Sequence, residues 1–127
     1  MRSVIYAELS EIQRRMLDLA DQAKERAYNP YSRFYVGACL VTANGVYITG
    51  TNVENAAYGS TICAERSALV KANAEGERSF RGIAIIARGE AFGTTEVTGP
   101  CGSCRQMLFE SSQVSEYDLE VIMATTQ

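Results

Sequence analysis

Cys63-Ala64-Glu65-Arg66, taken with the distant Pro100-Cys101-Gly102-Ser103-Cys104-Arg105-Gln106, decides how the rest of the chain is understood. The first stretch offers one thiolate and, two positions on, a carboxylate. The second offers two thiolates at C-x-x-C spacing. Three thiolates leave one open corner on a tetrahedral zinc ion, and an open corner separates a catalytic zinc site from a structural one. Water at that corner would have its pKa drawn towards neutrality. With Cys63, Cys101 and Cys104 on the metal, Glu65 is a poor ligand and a good proton carrier. A lone glutamate at a helix start is also favoured by the helix dipole. Beside these cysteines the chemical role reads better.

If both segments open helices, the partial positive charge at each helix N-terminus favours thiolate. Three thiolates on Zn²⁺ carry a net negative charge, which weakens the metal as a Lewis acid, so nearby donors should offset it. Arg66, on the same helical face as Cys63, is the first candidate and Gln106 the second. Arg105 reads equally well as a surface side chain. C-x-x-C alone is a weak signal and also fits a thiol–disulfide pair. Cys39 reads as a small buried hydrophobe within a strand. A structural zinc completed by Cys39 is the alternative to exclude.

The chain has 127 residues, enough for one domain with its own core. With 46% apolar and 21% charged residues it has an ordinary globular composition. A net charge of −3, without a basic stretch, shows no nucleic-acid footprint and fits a small substrate, or a locally hidden patch, better. There is no histidine. That removes Ser-His-Asp and Cys-His catalysis and any histidine-ligated metal. No signal-peptide pattern or membrane-length apolar run is present, so the expected location is cytoplasmic. There the four cysteines fit metal ligation better than disulfides.

Outward from the cysteines, the spacing of Ile5, Leu9, Ile12, Met16, Leu19, Ala23 and Ala27 predicts an amphipathic helix over 5–27, ended before Pro30. Phe34 to Thr42 reads as a buried strand with Val36, Ala38 and Leu40 on one face. Asn44-Gly45 makes a hairpin turn, and Val46 to Thr51 returns. Asn52-Val53-Glu54-Asn55 is a polar loop that either lines a site or serves as ordinary turn chemistry. Ser60 or Thr61 is expected to cap a helix from Cys63 to about Ala74, ended by Gly76. Gly82 to Ala87 reads as a central strand covered on both faces. Gly89 to Gly99 reads as a loop and Pro100 as a helix start. Leu119 to Ala124 reads as a last strand. The order α-β-β-α-β-α-β predicts an α/β domain with parallel pairing in its later part.

At these residues the chain resembles the small, homotetrameric, zinc-dependent cytidine deaminases that act on free nucleosides. The matching blocks run from Asn29-Pro30-Tyr31-Ser32 through Phe34, Val36-Gly37-Ala38, Asn52-Val53-Glu54-Asn55-Ala56, Tyr58 and Ile62-Cys63-Ala64-Glu65-Arg66 to Pro100-Cys101-Gly102-Ser103-Cys104-Arg105-Gln106. The resemblance implies a single three-layer α-β-α domain over 1–127, with a mixed sheet whose first two strands form an antiparallel hairpin. It implies one zinc ion per chain on Cys63, Cys101 and Cys104, with Glu65 as proton shuttle. Phe34 would stack on the pyrimidine, and Asn52 and Glu54 would bond the ribose hydroxyls. Ala64 would also bind substrate, and Tyr58 would reach a neighbouring subunit's site. Arg66 and Gln106 would hydrogen-bond the cysteine sulfurs. The implied reaction converts cytidine and 2'-deoxycytidine to uridine and 2'-deoxyuridine plus ammonia, in pyrimidine salvage. The nearest rival within the class is a deaminase of a cytosine nucleoside analogue; from another class, it is a structural-zinc interaction module. Relatives usually continue through another strand and a tail after the position of Gln127, which this sequence lacks. Tyr35 and Cys39 stand where the family more often has a basic residue and an alanine.

Overall fold

In the computed structural model, residues 3–90, 102–115 and 119–125 are described, without the side chains of 58, 102–105 and 114–115. α1, Glu11–Lys24, starts at a capping box. Ser10 Oγ accepts from the Gln13 amide at 3.2 Å, and Gln13 Oε1 accepts from the Ser10 amide at 2.9 Å. The helix expected over 5–27 is therefore shorter at both ends, and a 3₁₀ turn, Tyr6–Glu8, precedes it. Its buried face is also rotated from the expected stripe. Met16, Leu17, Ala20 and Ala23 are buried, whereas Ile5 and Ile12 are 67% and 55% exposed. Near its end the buried Lys24 ammonium donates to the Asp21 carboxylate at 2.5 Å and the Asp21 carbonyl at 3.1 Å.

β1, Tyr35–Thr42, and β2, Tyr47–Thr51, form the expected antiparallel hairpin, with Leu40 opposite Ile48. Gly45 takes φ 84° in the turn, a left-handed conformation that suits glycine. β3, Phe80–Arg88, pairs antiparallel with the other edge of β1. β4, Glu120–Ala124, pairs parallel with β3, so the later part of the chain holds the parallel pair that strand–helix–strand alternation predicts. The strand order is β2-β1-β3-β4. α2, Ala64–Ala74, and α3, Gly102–Ser115, complete the elements. Neither Ser60 nor Thr61 caps α2. Cys63 is the N-cap residue, its side chain makes no capping bond, and Ser60 belongs to a separate 3₁₀ turn, Tyr58–Ser60.

The sheet separates two apolar clusters. Met16, Leu17 and Ala20 of α1 lie on Cys39, Val41, Ala84 and Ile86. Ala64, Ala68, Leu69 and Ala72 of α2, with Leu108 of α3, lie on Ala38, Leu40, Ile48, Ile83 and Ile85. Alternation along β1 sends even and odd positions to opposite layers, and the fold is α-β-α as expected. Burying each large aliphatic side chain here stabilises the domain by about 1.5–3 kcal/mol. Both helix layers approach the sheet through a glycine. A Cβ on Gly37 would come within 2.0 Å of the Ala20 carbonyl oxygen, and one on Gly50 within 2.5 Å of the Ala64 oxygen and the Ala68 nitrogen. Main chain rather than side chain sets those two spacings.

Candidate active site

Two short bridges bring the polar loop after β2 to the start of α2. Val53 and Ile62 exchange both backbone hydrogen bonds at 2.8 Å. On the other side, the Tyr28 amide donates to the Asn52 carbonyl at 3.1 Å and the Glu54 amide to the Tyr28 carbonyl at 2.8 Å. The segments around 28, 53 and 62 thus lie side by side, and the last runs directly into Cys63. Residues far apart in the chain meet without any of them belonging to a long strand.

Cys63 is half-buried as the N-cap residue of α2, at the positive end of the helix dipole. Ala64 is fully buried beneath it, and its carbonyl oxygen is the atom Gly50 approaches. Glu65, in the first turn, is only 4% exposed, which is unusual for a glutamate placed there merely by the dipole. Arg66 Nε is buried and has no hydrogen-bond acceptor among the described residues. A buried guanidinium N–H without an acceptor is costly, and it suits an anionic centre nearby. The thiol, the buried carboxylate and the orphaned guanidinium nitrogen lie within one turn and together fit a zinc ion held by thiolates. Cys101 lies outside the described residues, and Cys104 is described only as backbone near the start of α3. Gln106, on α3, is exposed. Among the described residues no cluster of three potential metal ligands forms.

Cys39 is fully buried in the α1 layer, across the sheet from α2. Burial pushes its thiol up to about 11, and its Sγ lies 3.6 Å from the Leu40 carbonyl. That location separates it from Cys63 and leaves it the core role expected of it.

Phe34 is half-buried just before β1. Its carbonyl accepts from both Asn29 Nδ2 and Asn52 Nδ2, each at 2.9 Å. Asn52 Oδ1 also accepts from the Val36 amide at 3.0 Å. Asn52, 8% exposed, therefore uses both ends of its carboxamide to hold the start of β1. One amide proton and one lone pair remain. Glu54 Oε1 accepts from the Tyr31 and Ser32 amides, both at 3.0 Å, and Oε2 accepts from Ser32 Oγ. Burial works to raise its pKa, but the bonds from Ser32 Oγ and the two amides outweigh it and hold the carboxyl below its usual range. Tyr58 opens the 3₁₀ turn, and its side chain lies outside the described residues. Sequence reasoning missed Asn29 and Ser32 as organisers of the Phe34 loop. Their only local signal was Asn-Pro-Tyr-Ser, which reads first as a helix stop.

A groove of about 700 Å³ runs between Tyr6, Asp18, Arg88 and β4. It opens on the α1 face and does not include Cys63 or Glu65. Among the described residues no helix is long and apolar enough to cross a membrane.

These features define a class: an α-β-α sandwich with a cysteine and a buried glutamate opening one helix. Comparison with known proteins makes it particular. The profile of the cytidine and deoxycytidylate deaminase zinc-binding region matches residues 10–117. A cytidine deaminase of Halalkalibacterium halodurans is 52% identical over 91 residues, covering 72% of this chain and 65% of that protein. One from Sporosarcina psychrophila is 46% identical over 89 residues, covering 70% and 62%. The crystal structure of cytidine deaminase from Burkholderia pseudomallei superposes with a TM-score of 0.79 at 40% identity, covering 94% of this chain and 87% of that one. The chain belongs to the cytidine and deoxycytidylate deaminase family, and its match spans less than two thirds of the length of either curated relative.

Proposed function

We propose that the chain is a zinc-dependent deaminase that hydrolyses cytidine and 2'-deoxycytidine to the corresponding uridines and ammonia. The observation that carries this reading is the start of α2: Cys63 at the N-cap, Glu65 buried in the first turn, and Arg66 Nε buried without an acceptor among the described residues. Cys63, Cys101 and Cys104 would hold the zinc, and Arg66 and Gln106 would temper the charge of their sulfurs. Zinc, when bound, supplies Lewis-acid activation of a water molecule.

Glu65 moves the protons. It takes one from the attacking water as the oxygen bonds to C4 of the pyrimidine, and delivers it to N3. The new C4 hydroxyl then gives up its proton, which the same carboxyl passes to the amino group; the C4–N bond breaks as the C4 carbonyl forms, and ammonia leaves. Burial of Glu65 keeps bulk water from competing for that proton. Phe34 offers a face for the ring, and Ala64 lines the substrate's place. Asn52 and Glu54 address the ribose. Their bonds to the 31–36 backbone hold both side chains in place before substrate arrives, a preorganisation that lowers the ordering cost of binding. The proposed assembly is a cytoplasmic homotetramer with Tyr58 at a neighbouring site, serving pyrimidine salvage.

Ultraviolet spectroscopy of cytidine incubated with purified, zinc-assayed protein tests the reading. Conversion to uridine should stop on chelation and return with added zinc. A zinc-loaded chain that leaves both nucleosides intact would sink it.

A further inference from the structure

One guanidinium ties three elements together from the side of the sheet opposite α2. Arg88 ends β3 and stands opposite Tyr35, the first residue of β1. Its Nε and Nη2 donate to the two carboxylate oxygens of Glu25, just after α1, at 2.9 and 2.5 Å. Its Nη1 donates to the Gly89 carbonyl at 2.7 Å and the Glu90 carbonyl at 3.0 Å. The guanidinium carbon lies 4.0 Å from the centre of the Tyr35 ring, well inside cation–π range. A second tie joins the same segments: Arg33 Nη1 reaches Glu90 Oε1 at 3.1 Å.

Every part of this arrangement requires a planar fork. The bidentate grip on Glu25, the two carbonyl bonds and the stack on Tyr35 use different donors and the face of one group, and an ammonium could not make them together. The consequence crosses the sheet. Tyr35 shares the α1 face of β1 with Gly37 and Cys39, whereas Val36, one residue on, packs against the α2 cluster, and Phe34 immediately precedes the strand. The clamp therefore grips the strand at the residue behind Phe34. It also grips the chain where it leaves β3 on its way to Cys101.

We propose that Arg88, through Tyr35, Glu25 and the Gly89–Glu90 carbonyls, is a positioning residue that sets where Phe34 meets the pyrimidine ring. This rests on the deaminase reading above, in which Phe34 faces the substrate. The requirement is for registry of a binding surface and not for chemistry. Loosening the clamp should therefore raise KM more than it lowers kcat.

The test compares wild type with Arg88→Met, Arg88→Lys and Tyr35→Leu, each loaded with zinc and assayed well below its Tm. Arg88→Met and Tyr35→Leu should each raise KM for cytidine about three- to tenfold, the scale of one aromatic contact. Their kcat should stay within about twofold and their zinc content should equal that of wild type. Arg88→Lys should fail to restore KM. Hydrogen exchange supplies a readout independent of turnover. The Phe34 and Val36 amides should exchange faster in Arg88→Met, while those of Leu40 and Ile85 in the strand centres should not. An unchanged KM, a fall confined to kcat, or unaltered exchange at 34–36 would overturn the proposal. Wild-type protein inactive on cytidine overturns the deaminase reading instead, and the clamp then stands or falls on the exchange result.

Discussion

Glu65 and Cys39 are both buried, and the reason differs at each. Glu65 keeps a carboxylate 4% exposed at a helix start, where an uncompensated charge is costly unless a counter-charge or reaction uses it. Glu65→Gln keeps the shape and removes the titrating group. Turnover should fall by about 10²- to 10⁴-fold, with zinc content unchanged; near-normal kcat would take Glu65 out of the mechanism. Cys39 is an apolar core residue that happens to contain sulfur. Cys39→Ser should cost about 1–3 kcal/mol in denaturant unfolding, the scale for a poorly paired buried hydroxyl. It should release no zinc, and zinc loss from this variant would revive a four-cysteine structural site. At this scale the sequence was legible where chemistry is local. Cys63, Glu65 and Arg66 are neighbours in the chain, so their grouping at the start of α2 could be read from the sequence, while the zinc and proton roles proposed for them draw on the distant Cys101 and Cys104. Glu54 was not legible in the same way. Its hydrogen-bond partners, Tyr31 and Ser32, lie far back in the chain, and the Tyr28–Val53 bridge and the Asn52 bonds to the 34–36 backbone run alongside them.

Elements follow the same rule. The central strands were readable because Val36 to Thr42 and Gly82 to Ala87 are apolar on both faces, as a strand between two helix layers must be. The start of α1 was misread because apolar periodicity continues backwards through Leu9 and Ile5. The capping box at Ser10 and Gln13 closes the helix first, and periodicity has no term for a cap. α2 is placed by the approach of Gly50 to its first turns. An added methyl at Gly50 would meet main-chain atoms that have no rotamer to escape through. Gly50→Ala should destabilise the domain by about 1–3 kcal/mol. Because the displaced helix carries Cys63, zinc affinity should fall with it. Normal zinc affinity in a measurably destabilised variant would show that α2 can shift without moving its cysteine.

For the whole molecule, the ion network at the ends of α1 and β3 makes stability depend on pH. The Arg88 guanidinium beside Glu25, helped by Lys24, holds its carboxyl at about 2, below its ordinary 4.5. A depressed carboxyl contributes stability above its unfolded pKa, and that contribution is lost as pH falls through the folded value. The Tm of wild type should therefore exceed that of Glu25→Gln near neutrality. The gap should shrink below about pH 4.5 and close near pH 2; a gap that persists there would mean Glu25 acts through contacts and not charge. Half of the Glu25 side chain is exposed, so solvent screening keeps the gap small.

The two glycine approaches bear on how such a chain drifts over generations. Where layers are separated by side chains, each exchange on one layer asks for an answering exchange on the other. Here main chain meets main chain at Gly37 and Gly50. A lineage that acquires a side chain at either position must therefore move helix main chain, and at Gly50 that main chain belongs to the first turns of the helix that carries Cys63.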